Sequence, residues 1–167
     1  GRFVIEIKTG AEIVPALVKV LEPLKPRAKQ LAIISFQKDA CAAAKKALPW
    51  IPVFQLSGSK NKQKEPVDLS KLIAEAKANG LDGLDLGSDW KWDAAMVSQI
   101  HAAGLKAIVY TINKPAEMQA RLQGREGKAP ALQRSPGLQG ASQAPQFCAS
   151  MRISTQRPLQ RTRPRGQ

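Results

Sequence analysis

Cysteine and histidine are almost missing from these 167 residues, which contain only Cys41, Cys148 and a single histidine, His101. Two thiols are too few for a disulfide scaffold, and too few for a zinc site built from this chain's own thiolates. No apolar run approaches the roughly 18 residues that a membrane-crossing helix needs, and no signal-peptide pattern opens the chain. Neither Gly-x-Gly-x-x-Gly nor a P-loop pattern occurs, so the common nucleotide-binding α/β sheets lose support. Acids are scarce as well: 13 Asp and Glu against 26 Lys and Arg, for a formal charge of +13. Such an excess by itself suggests a nucleic-acid binder or a partner for anionic surfaces. The first residue is Gly1 rather than Met. A piece of a longer protein is therefore expected, with any export signal upstream and the compartment left open.

What is present is unevenly distributed. Residues 1–123 carry 18 basic and 12 acidic side chains, whereas residues 124–167 carry 8 basic and 1 acidic. Lys supplies 15 of the first 18 bases and Arg 7 of the last 8. The tail has Phe147 as its one aromatic, no Val, and much Gln, Pro, Gly and Ser. A segment so poor in apolar side chains does not offset the entropy of ordering its backbone, so residues 124–167 are expected to be disordered. Two roles are open to it. One is an arm whose Arg152 to Arg165 contact phosphates. The other is an uninformative extension, of the kind a GC-rich gene read in another frame produces. The second is preferred, because no recognisable nucleic-acid module accompanies the arginines, and nucleic acid is not expected as a partner.

Residues 1–123 alternate between two hydrophobic periods. Strand-like runs occupy residues 3–8, 31–36, 51–56, 81–86 and 105–112. Helical spacing occupies 11–24, 38–48, 69–79, 93–103 and 115–122, with Pro115 suited to a first helical turn. Five β–α units in succession imply a parallel sheet with helical crossovers. An open doubly wound sheet and part of an eight-stranded barrel both satisfy this, and the missing nucleotide motifs favour the barrel. The expected fold class is α/β: an incomplete (β/α)8 barrel of TIM type with parallel strands over residues 1–123, followed by the disordered basic tail of residues 124–167.

In such a barrel Phe3, Ile5 and Ile7 pack against helices, which leaves Val4, Glu6 and Lys8 for the lumen or its mouth. A carboxylate and an ammonium at the carboxyl end of a parallel strand are costly unless paired, metal-bound or solvated. That end is also where barrel chemistry sits. Glu6 is accordingly read as a hard-oxygen ligand for Mg²⁺ or Ca²⁺, and Lys8 as a point charge for a phosphate. The plainer alternative is an internal Glu–Lys pair that caps the strand end without any ligand. A rival enzymatic reading makes Lys8 a Schiff-base lysine. Ser35 and Phe36 end the second strand at the same mouth, Phe36 as core or as substrate wall. Tyr110, near the end of the fifth strand, either stacks on a ligand or packs in the core. Asp85 can join a metal or cap the following helix, and the structural role is preferred. Trp90 and Trp92 are expected to cover the mouth or pack against it. His101, one turn from the end of its helix, is not expected to be a catalyst.

Three stretches carry a resemblance: Ile5-Glu6-Ile7-Lys8, Ile34-Ser35-Phe36 and Gly104-Leu-Lys-Ala-Ile-Val-Tyr-Thr-Ile-Asn113. In this order and spacing they resemble the second half of the glycerophosphodiester phosphodiesterase family, with its Glu-Ile-Lys, Ser-Phe and Gly-x-x-Val-x-x-Trp-Thr-Val-Asn strands. Leu81 to Leu86 and Ala102-Ala103-Gly104 look like the same run, and the resemblance covers about residues 2–123. It implies a metal-dependent barrel that hydrolyses small-molecule glycerophosphodiesters of lipid and glycerol metabolism to an alcohol and glycerol 3-phosphate. The resemblance passes binding of the divalent cation to Glu6 and approach to the substrate phosphate to Lys8. It passes the pocket lining to Tyr110, which stands where the family has Trp; Phe36, from its place at the strand end, is taken as a further substrate-binding residue. The family's two catalytic histidines and its Glu-x-Asp metal pair have no counterpart here. Its last strand should follow Arg121-Leu-Gln123, where Gly124-Arg-Glu-Gly-Lys128 begins the tail instead. By itself the chain is therefore expected to be inactive and marginally stable, with open hydrophobic sheet edges.

Overall fold

The two hydrophobic periods become five strands and four intervening helices in a computed structural model, which describes residues 3–113 and the strand Ala149–Arg152. The strands are β1 (Phe3–Ile7), β2 (Leu31–Ser35), β3 (Val53–Ser57), β4 (Gly83–Gly87) and β5 (Lys106–Tyr110). Between them lie α1 (Val14–Leu21), α2 (Lys38–Ala47), α3 (Leu69–Ala78) and α4 (Ala94–Ala102). The helix expected over residues 115–122 lies outside the described residues.

Boundaries depart from the spacing for local reasons. β3 and β4 each begin two residues later than predicted, because Ile51 and Leu81 still close the preceding turns through bonds to the carbonyls of Leu48 and Ala76. The predicted first helix is cut short as well. Pro23 and Pro26 have no N–H to donate, and residues Glu22–Gln30 wind as 3-10 turns up to β2. Asp68 and Asp93 start α3 and α4 by accepting backbone N–H bonds in the first turn, each cap being worth about 1 kcal/mol.

All five strands are parallel and lie in the order β5-β4-β3-β2-β1, so each crossover advances the chain by one strand in the same direction. A doubly wound sheet would reverse direction at a switch point. From β1 to β5 there is none, and the four described helices cover one face. Ile5, Ile7, Ile33, Val53, Leu84 and Leu86, alternate residues of four strands, share one core with Leu17 of α1, Ala44 of α2, Leu72 of α3 and Ile100 of α4.

The opposite face is concave. Phe36, just after β2, meets Tyr110 of β5 edge to face, with ring centroids 5.9 Å apart and planes at 90°. β2 and β5 are three strands apart, about 14 Å in a flat sheet. Side chains converge across that span only on the inside of a curl, as in a barrel wall. β4 fits the curve closely enough that a Cβ at Gly83 would collide with the Lys106 carbonyl of β5.

β6 (Ala149–Arg152) pairs in parallel with the other edge of β1. These four residues belong to the segment expected to be disordered. An edge strand offers unpaired N–H and C=O groups, which is the physical reason a four-residue stretch is accepted there. The rest of that expectation falls outside the described residues.

Leu84 of β4 is one of the fully buried side chains of the core. Leu84→Ala is expected to cost about 2–5 kcal/mol, read as a lower urea midpoint with an unchanged slope. A loss within experimental error would show that the helix face is not the stabilising core.

Candidate functional site

Register decides which side chains reach the concave face. Residues paired across parallel strands point the same way, so Glu6 of β1 stands in one row with Ile34, Phe54 and Gly83. Asp85 stands in the next row, between Leu56 and Ile108, and Tyr110 pairs with Gly87 one step nearer the mouth. Glu6, Asp85, Phe36 and Tyr110 thus occupy the face opposite the helices, at the carboxyl ends of the strands.

Glu6 is largely covered, with 15% of its side chain exposed, while Lys8 is 45% exposed. The Lys8 ammonium donates to Glu6 Oε1 at 2.5 Å. The plain Glu–Lys pair is therefore present. It sits where the lumen reading requires, turned away from the helix-packed Ile5 and Ile7. For the Schiff-base alternative, burial or a neighbouring cation would activate the amine, whereas Lys8 is half-exposed and paired with a carboxylate.

Asp85 corrects the sequence reading. The cap of α4 is Asp93, whose carboxylate accepts from Met96 N at 2.9 Å. Asp85 is only 6% exposed, and its Oδ1 has no hydrogen-bond partner among the described residues. Burial first, and then the negative charge of Glu6, push its pKa up to about 7. A sequence signal for this existed: Leu84 and Leu86 claim the helix face, so Asp85 between them must take the other. Tyr110 feels the same surroundings, since burial and the charges of Asp85, Asp89 and Glu6 raise its pKa to about 12.

Other residues singled out from the sequence serve as supports. Ser35 is fully buried, and its hydroxyl donates to the Ile7 carbonyl at 2.7 Å and accepts from Gln37 N, which ties the end of β1 to the start of α2. Cys41 directs its thiol at the Ser35 and Phe54 carbonyls, and burial pushes its pKa up to about 12, so it is a packing group rather than a nucleophile. Trp90 and Trp92 are half-buried, and their indole N–H groups bond to the Ser57 and Gly87 carbonyls at the strand ends. Asp89, which the sequence did not single out, accepts from both the backbone and the hydroxyl of Ser59 and joins the loops after β3 and β4. The Ser59 hydroxyl bond holds the Asp89 carboxyl below the usual carboxylate range. His101 lies in the last turn of α4, on the helical layer.

Hard carboxylate oxygens are the donors that Mg²⁺ and Ca²⁺ select. Glu6 and the unpartnered Asp85 oxygen fit such a cation in kind. No group of three or more potential ligands gathers among the described residues, so they fit as part of a coordination set rather than as a complete one.

Residues 3–125 match the model of the glycerophosphoryl diester phosphodiesterase family. No curated protein matches the sequence. Among solved structures, the chain is similar to one assigned as a glycerophosphoryl diester phosphodiesterase from Agrobacterium tumefaciens, with a TM-score of 0.60 and 22% identity over 73% of this chain and 50% of that one. It is also similar to structures with related assignments from Silicibacter pomeroyi (TM-score 0.57, 17% identity, 78% of this chain and 46% of that one) and Galdieria sulphuraria (TM-score 0.57, 16% identity, 74% and 50%). At these identities the likeness shows the fold, a TIM-barrel-like wall of β–α units. The chain spans about half the length of the structures it matches.

Asp85 gives the site a signature in pH. Its native pKa of about 7 lies above the ordinary 3.8, so the folded state binds the proton more tightly than the unfolded state. Stability then falls as pH rises between those two values, because the native state holds more protons there. Urea titrations across this window are expected to show a steeper fall for the wild type than for Asp85→Asn. Parallel profiles would mean that Asp85 is already ionised when it folds.

Proposed function

From the chain's membership of the glycerophosphoryl diester phosphodiesterase family, we propose that its concave face forms part of a metal-dependent site that hydrolyses glycerophosphodiesters to glycerol 3-phosphate and an alcohol. The observation that carries this reading is the Glu6–Lys8 pair, a carboxylate and an ammonium together at the carboxyl end of β1 on the side away from the helices. In the proposed reaction the oxygen of water bonds to phosphorus, and the ester oxygen of the alcohol leaves with a proton.

Each residue has a distinct task. Glu6 offers a hard oxygen to Mg²⁺ or Ca²⁺, which when bound supplies positive charge against the phosphoryl oxygens. Lys8 directs its ammonium at a phosphoryl oxygen, and stabilises negative charge that builds there. Its half-exposed side chain has the freedom to exchange Glu6 for that oxygen. Phe36 and Tyr110 supply an edge-to-face aromatic wall beside the phosphate position, suited to the carbon skeleton of the substrate.

Proton transfer is the missing part. In the family that this chain resembles, two histidines at the site carry it. The chain's single histidine, His101, belongs to α4 in the helical layer. The chain alone is accordingly proposed to bind the phosphate end of the substrate without turning it over.

Calorimetric titration with glycerol 3-phosphate in the presence of Ca²⁺ or Mg²⁺ tests the assignment. Lys8→Ala is expected to weaken binding about tenfold, the equivalent of about 1.4 kcal/mol. Glycerol 3-phosphate release from glycerophosphocholine is expected to stay at the rate without protein. Equal binding by Lys8→Ala would remove Lys8 from the site, and release above background would overturn the inactivity.

A further inference from the structure

The mouth of the cup holds a charged group that the proposed hydrolysis does not use. Asp89, in the loop after β4, is exposed, and its Oδ2 accepts from the backbone N–H of Ser59 at 2.8 Å and from the Ser59 hydroxyl at 2.5 Å. Two bonds to one oxygen hold the carboxylate in place. Its other oxygen, Oδ1, lies over the concave side of β4, where a Cβ on Gly87 would collide with it. Gly87 pairs with Tyr110 in the sheet, so the carboxylate stands beside the base of that tyrosine. The Ser59 hydroxyl bond above all keeps Asp89 ionised, and Lys60 of the adjoining loop adds to this without forming an ion pair with it.

The aromatic pair completes a corner. From β5 the Tyr110 ring extends over β4 and β3 to meet Phe36, with planes at 90° and centroids 5.9 Å apart. Phe36 is 52% exposed, so ring surface stays open toward the mouth. Aromatic faces carry partial negative charge and attract cations. A neutral alcohol gains little from that charge, whereas an ammonium is drawn by rings and carboxylate together. Lys8 stands on the other side of Phe36: Ile7 pairs with Ser35, so the residues that follow, Lys8 and Phe36, leave neighbouring strand ends. The mouth therefore runs from a cation at β1, across two rings, to an anion at β4.

We infer that this corner receives the alcohol part of the diester and selects an alcohol that bears an ammonium, quaternary as in choline, with Asp89 as the specificity-determining residue. The inference rests on the reading of Lys8 as the phosphate contact, and adds the chemical class of the leaving group. A zwitterionic diester meets the opposite charge at each end, its phosphate at Lys8 and its ammonium at Asp89. Gly87 is part of the device, because a side chain there would take the place of the carboxylate.

Calorimetric titrations of the full chain in the presence of Ca²⁺ compare glycerophosphocholine with glycerophosphoglycerol, which keeps the glycerol phosphate and replaces the ammonium by hydroxyls. The wild type is expected to bind the choline ester about tenfold more tightly. Asp89→Asn retains an oxygen for both Ser59 bonds and deletes the charge, so it is expected to erase this preference by weakening the choline ester alone. Gly87→Ala, whose Cβ pushes the carboxylate aside, is expected to do the same. Thermal melting checks that each variant folds, and should Asp89→Asn fail to fold, Gly87→Ala carries the test. Equal constants for the two esters in the wild type would overturn the inference and leave the Lys8 reading intact. An equal loss for both esters in Asp89→Asn overturns it too, since that is what a mere tie between loops predicts. Binding of neither ester by the wild type overturns the Lys8 reading, and the inference with it.

Discussion

From β1 to β5 every connection of the parallel sheet advances in one direction, which puts the four described helices on the same side, and the candidate site depends on that constraint. The order β5-β4-β3-β2-β1 leaves one face for the helices and bends the other inward. Strand alternation then does the sorting. Ile5 and Ile7 go to the core, and Glu6 between them goes to the cup. β4 repeats the operation with Leu84, Leu86 and Asp85. The same two-residue period that packs the core therefore delivers the carboxylates, and no residue can change face without moving its neighbours.

The supports are arranged to hold strand ends rather than to do chemistry. Ser35 ties β1 to the entry of α2, and Asp89 ties the loops after β3 and β4. The two tryptophans close over strand-end carbonyls. Each satisfies backbone groups that a parallel sheet leaves open where its strands stop.

Net charge misleads about this site. The chain carries +13, but the groups that act on Tyr110 at the mouth are Asp85, Asp89 and Glu6. Lysines such as Lys25 and Lys38 are exposed on the helical side, where their ion pairs are screened by water and contribute little. At Asp85, only 6% exposed, a carboxylate weighs more, because water screens it less.

Legibility from the sequence followed the range of the interactions. Strand and helix identity rests on periods of two and 3.6 residues, and all five strands and four described helices were visible that way. Boundaries were less so: β3 and β4 begin late because Ile51 and Leu81 bond backward to the preceding turns, and a run of apolar letters does not report a hydrogen bond. The first helix shortens before Pro23 and Pro26, a breakpoint that was in the sequence and was overridden by the apolar stripe. At the site, Glu6 and Lys8 stood out because charges at the end of an apolar strand are locally anomalous. Asp85 did not, since an acid shortly before a helix is ordinarily a cap.

The amino-acid sequence by itself determined the β–α repeat, the parallel class of sheet, and the face that each strand residue takes, because these follow from contacts within a few residues along the chain. Only the tertiary structure decided that Phe36 and Tyr110 touch across three strands, and that Asp85 Oδ1 has no hydrogen-bond partner among the described residues. Curvature is the reason. It sums the twist and register of every strand between the two groups, and no short window of residues contains that sum.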